Sequence, residues 1–157
     1  MDIREMNAQP LTTQAAREFI FAGHAIFTVE NEQTGGRLTF KVETPKEKRN
    51  AFCAPHFVRY LTGPDNMDHY TYVGTDWGDR RELKLTKASR MTDDSRPVKV
   101  FRWLMTRLDR GDLPESVKIY HEGRCGRCGR RLTVLESIRS GLGPICSGKI
   151  DLVEFDA

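Results

Sequence analysis

Between residues 25 and 86 the chain alternates apolar and polar or β-branched residues in five short runs, and no other feature restricts its fold as much. The runs cover 25–30, 37–43, 56–61, 69–74 and 81–86, and three of the separators are Thr34-Gly35-Gly36, Thr62-Gly63-Pro64-Asp65-Asn66 and Asp76-Trp77-Gly78-Asp79. A period of two sends successive side chains to opposite faces of a pleated strand, and turns this short join antiparallel neighbours. The expected fold is therefore α+β, built on a five-stranded antiparallel sheet or small open barrel. The lysine-rich stretch 45–50 reads as a solvated loop.

Two helices flank these runs. Thr12 suits an N-cap, with Ala15, Ala16, Phe19 and Ile20 on one stripe and Gly23 as the stop. Ser95-Arg96-Pro97 opens the second, in which Phe101, Leu104, Met105 and Leu108 follow the i, i+3, i+4, i+7 rule up to Gly111. Lys99, Arg102 and Arg110 fall on the opposite side and read as a solvated face. A short strand at 117–120 then delivers the chain to His121. The organisation expected is an α+β domain over 1–116 and a small zinc-finger-like module over 117–157.

That module begins His121-Glu-Gly-Arg-Cys125-Gly-Arg-Cys128-Gly-Arg-Arg-Leu-Thr. Cys125 and Cys128 form a Cys-x-x-Cys knuckle, and the glycine after each cysteine lets the backbone turn and aim two sulfurs at one point. Thr133-Val-Leu-Glu136 has the form of a capping box, Gly141 stops its helix, and Pro144 starts another that places Cys146 at a helix N-terminus, where the dipole favours a thiolate. Such a knuckle with a helix-borne ligand resembles treble-clef and short-ribbon zinc modules. A closed, sulfur-rich sphere is the structural kind, so the cofactor expected is structural Zn2+. Tetrahedral zinc needs a fourth donor. His121 is the first choice, with Cys53, His24, His56, His69 and Glu122 as alternatives.

Charge is concentrated in the same place. Between 118 and 149 seven basic residues (Lys118, Arg124, Arg127, Arg130, Arg131, Arg139 and Lys149) face only Glu122 and Glu136, so this segment carries +5 while the whole chain carries +3 and the remainder −2. Zinc and three thiolates together would lower the segment to about +4. A metal-fixed backbone studded with arginines suits phosphates, so Arg124, Arg127, Arg130, Arg131, Arg139 and Lys149 are the candidate residues for binding DNA or RNA. Tyr70, Tyr72 and Trp77 would add stacking surfaces for single strands.

The run Cys125-Gly-Arg-Cys128-Gly-Arg-Arg-Leu132-Thr133, with Glu136-Ser137 and Gly141-Leu-Gly143-Pro144-Ile-Cys146, resembles the three-cysteine module of a family of bacteriophage and prophage proteins. Leu61-Thr-Gly-Pro-Asp65, Tyr70-Thr-Tyr-Val-Gly74 and Thr86-Lys-Ala-Ser89 extend the resemblance upstream. Leu135 departs from the proline expected there, and Leu142 from the commoner isoleucine; neither is a ligand. The resemblance implies a phage setting and supports the three cysteines, but it carries no activity.

Other classes fit less well. No apolar stretch approaches the roughly 18 residues of a spanning helix, and the opening Met1-Asp-Ile-Arg-Glu lacks the halves of a signal peptide, so no membrane partner is expected. Cysteines at knuckle spacing suit a reducing compartment, which for a phage product is the host cytoplasm. The zinc-deaminase signature needs His-x-Glu ahead of Pro-Cys-x-x-Cys, and neither spacing occurs here. Pro64-Asp65 with Glu82-Leu-Lys84 matches a loose metal-dependent nuclease pattern and is a minor alternative to a non-enzymatic role. The competing binding role is a phage factor that docks on a host enzyme or defence complex and inhibits or redirects it, because fixed arginines suit acidic protein surfaces as well.

Overall fold

In the computed structural model, which describes residues 10–48, 54–62, 69–77 and 82–121, six antiparallel strands form one open sheet with two helices. Helix α1 (Thr13–Ile20) precedes β1 (His24–Asn31), β2 (Gly36–Glu43), β3 (Pro55–Leu61), β4 (Tyr70–Trp77) and β5 (Glu82–Lys84); helix α2 (Arg96–Arg110) leads to β6 (Val117–His121). The spatial order is β5-β4-β3-β2-β1-β6. The first five strands are a meander, and β6 returns to pair with the open side of β1, Phe27 opposite His121 and Asn31 opposite Val117. The sheet therefore has six strands rather than the five expected, because the segment at 117–121 joins it, and it stays open rather than closing into a barrel.

Both helices cover the same face. Ala25, Phe27 and Val29 of β1 stand beside Val42, Phe40 and Leu38 of β2, with Ile119 and Val117 of β6 continuing the rows. These join Ala16, Phe19 and Ile20 of α1 and Val98, Phe101, Leu104, Met105 and Leu108 of α2 in one buried core. The alternating runs bury their inward residues on this face because period-two sequences have one apolar side to hide.

The helix ends follow the capping rules, with one difference. The Thr12 hydroxyl accepts a hydrogen bond from the Ala15 amide at 3.1 Å, and Gly111 closes α2 with a left-handed backbone, φ 71°, open to glycine at little cost. Ser95 occupies the N-cap of α2 but makes no capping side-chain bond; its hydroxyl instead accepts from the Thr92 amide, stabilising the turn before the helix.

The short strand β5 is held from three sides. Leu83 fills the core, and Gly74 of β4 lies so close that a Cβ there would stand 2.6 Å from the Lys84 carbonyl oxygen. Arg102 is not a free surface cation as its helical position suggests: its Nε and one terminal nitrogen donate to the Leu83 carbonyl at 3.2 and 2.9 Å, and the other binds Asp93 at 2.7 Å. A guanidinium so placed blunts an edge strand. Arg102→Met is expected to cost about 1–3 kcal/mol and to raise amide exchange selectively at Leu83 and Lys84, whereas Phe101→Ala should cost about 3–5 kcal/mol in urea unfolding.

Candidate functional site

The face turned away from the two described helices carries most of the strands' charged and aromatic side chains. One row across it reads His24, Glu43, Phe57, Thr75 and Lys84 from β1 to β5; the next reads Ile26, Lys41, Arg59 and Tyr72 from β1 to β4. Tyr70 lies beside Leu61 at one end of β4 and Trp77 beside Glu82 at the other. On the β6 side, Tyr120 and Lys118 pair with Thr28 and Glu30. Tyr70 and Tyr72 thus share a face, as expected from their spacing. Trp77 is the last residue of β4 rather than part of a turn, and it is 46% exposed.

The charges here are organised around one carboxylate. Glu43 receives the Arg59 guanidinium at 2.6 Å and the Lys41 ammonium at 3.6 Å, with His24 Nδ1 at 3.7 Å. The Lys41 ammonium also stands over the Tyr70 ring, 5.4 Å from its centroid. One carboxylate holds two fixed cations in place and leaves a net positive charge between them. The face is half-covered rather than bare, since Ile26 is 8% exposed.

His121, the last residue of β6, lies on the opposite, core side. It is 4% exposed, and its ring centroid is 5.7 Å from that of Phe19 in α1. The other three expected ligands, Cys125, Cys128 and Cys146, lie outside the described residues, as do Arg124, Arg127, Arg130, Arg131, Arg139 and Lys149, and the alternatives Cys53 and Glu122. Among the described residues no three histidine, cysteine, aspartate or glutamate side chains come together as a metal site. His24 faces the outer side beside Glu43, and His56 is buried.

His56 belongs to a polar cluster that the sequence reading did not anticipate. Its Nδ1 shares a 2.5 Å hydrogen bond with the Thr44 hydroxyl, its ring meets Phe21 edge-on at 4.9 Å, and Asp76 stands directly opposite on β4. All three polar residues are buried. Asp76 reads as a turn residue because aspartate is depleted in strands and Asp-x-Gly favours turns. A hydroxyl, an imidazole and a carboxylate in this order are the ingredients of nucleophilic catalysis, but a hydroxyl sunk in the core gives a substrate no approach, and the Thr44–His56 bond reads as an interior polar tie between the end of β2 and β3.

For the nuclease pattern, Glu82 and Lys84 are exposed on either side of buried Leu83, and Asp65 lies outside the described residues. No helix among the described residues is long and apolar enough to cross a membrane.

Burial and the nearby carboxylates of Glu30 and Glu32 raise the Tyr120 phenol above its ordinary value near 10, against an opposing pull from Arg37. The native state then holds this proton where the unfolded chain has released it. The stabilisation is complete below pH 10 and declines as pH rises through the raised native value. Tyr120→Phe should flatten that alkaline decline, measured as urea midpoints between neutral and strongly alkaline pH.

Residues 119–151 match a protein family described as Family of unknown function (DUF6011). The matched segment opens with the last three residues of β6 and takes in His121, Cys125, Cys128 and Cys146. No curated protein and no solved structure matches the chain.

Proposed function

We propose that this is a phage-encoded, non-enzymatic protein that binds zinc through Cys125, Cys128, Cys146 and His121, and binds nucleic acid through the arginine-rich segment the metal fixes. The observation that carries the reading is the position of His121. It is buried at the end of a strand paired along its length with β1, four residues ahead of Cys125. A donor on so rigid an element costs little further ordering when the metal binds, and it fixes the start of a run in which Arg124, Arg127, Arg130 and Arg131 alternate with cysteines and glycines. Arg139 and Lys149 extend the basic surface. The host cytoplasm, where thiols stay reduced, is the compartment this chemistry suits.

A second reading has its own observation. Trp103 on the outside of α2 is 37% exposed, and the Arg107 guanidinium lies 5.8 Å from its ring centroid. Tryptophan and arginine are enriched at protein-binding hot spots, so a host enzyme or defence complex is the alternative partner.

Purified protein is expected to hold about one zinc per chain by elemental analysis, with Cys128→Ser losing it and the sheet surviving. Affinity for short DNA or RNA should fall steeply between low and physiological salt, and Arg127→Glu with Arg131→Glu should weaken it regardless of sequence. Absence of any mobility shift at low salt, with a host protein retained by the wild type and lost by Trp103→Ala, would transfer the case to the second reading.

A further inference from the structure

The outer face of the sheet is chemically unlike the rest of the molecule. Apart from the +5 segment the chain is acidic, yet this face presents Arg37, Lys41, Arg59 and Lys84, joined by Lys118 from that segment, against Glu30, Glu43 and Glu82. It also presents Tyr70, Tyr72, Trp77 and Tyr120, and the two described helices both pack on the other side. Partly exposed aromatics on a sheet face next to basic side chains are the two components of single-strand recognition: bases stack on the rings, and cations follow the phosphates.

We infer that single-stranded nucleic acid crosses this face, its bases stacking on Trp77, Tyr72 and Tyr120 and its phosphates meeting Lys41 and Arg59. This deepens, and rests on, the nucleic-acid reading above. Tyr72 on β4 and Tyr120 on β6 are four strand spacings apart, about 19 Å, which accommodates several nucleotides of an extended strand. The Glu43 carboxylate keeps Lys41 and Arg59 on the line between them. Tyr120 is followed four residues later by Arg124, so the path leads from the sheet toward the arginine-rich segment. A duplex offers paired bases, already stacked on one another, and cannot use the rings.

Duplex and single strand therefore separate the inference from the reading it rests on. The full chain, zinc-loaded, is titrated at low salt with an oligothymidylate of roughly 12 nucleotides and with a mixed-sequence duplex of the same length, a size within the known range of single-strand sites. The single strand should bind at least tenfold tighter. In a Trp103→Phe background it should quench the remaining Trp77 fluorescence. Tyr72→Ala with Tyr120→Ala should lose roughly 10- to 100-fold in affinity, while the two Tyr→Phe changes retain it. Should the alanine variant fail to fold, the Trp77 quenching and the phenylalanine pair decide alone. Equal binding of both forms with unmoved Trp77 fluorescence would overturn the sheet-face inference and leave the arginine reading standing, provided Arg127→Glu with Arg131→Glu abolishes that binding. Binding of neither form would end both.

Discussion

Phe40 meets three rings at once: Phe27 on β1 and Tyr60 on β3, each with centroids 5.8 Å away, and Phe101 of α2 at 5.5 Å. These contacts are what tie the second helix to the middle of the sheet. Phe101 is fully buried, and the apolar stripe of α2 that surrounds it has no other place to hide. Because α1 packs on the same side, against the rows that run from β1 into β6, most of the strands' buried apolar side chains are drawn to one face.

The other face buries fewer apolar side chains, Ile26 among them, and its composition is more polar. Threonines pair across β1 and β2, where the Thr28 and Thr39 hydroxyls are 2.8 Å apart, and charged residues converge on Glu43. Tyr72 is fixed by hydrogen bonds of its phenol with the Thr75 and Thr86 hydroxyls at 2.5 and 3.5 Å. A ring held by its polar tip keeps its orientation without being fully buried.

Alternation made β1, β2 and β3 legible to within a residue or two, and the stripe Phe101, Leu104, Met105 and Leu108 did the same for α2. What escaped had specific physical causes. The register shift between Val58 and Arg59 inserts Val73 into β4, so alternation slips there and the strand continues past Gly74 to Trp77. Asp76 hides in that continuation because a lone aspartate looks like punctuation. Arg102 is misplaced by a helical wheel since its long side chain reaches beyond its own helix to β5. The aromatic residues of the outer face were visible as residues, but which of them share a side depends on the bulge, and the junction of β6 with β1 is a contact between segments far apart in sequence that no local pattern encodes.

The return of β6 also sets an order of events. β1 lies between β2 and β6, and its second partner begins only at Val117, long after the first hairpin is complete at Glu43. A chain emerging from the ribosome folds from its N-terminal end, and a contact of such long sequence separation closes late. The edge of β1 must therefore wait, exposed, until Val117–His121 is synthesised. The first cysteine of the matched segment follows only four residues after His121, so the strand that completes the described sheet and the start of the cysteine-bearing segment are made in close succession.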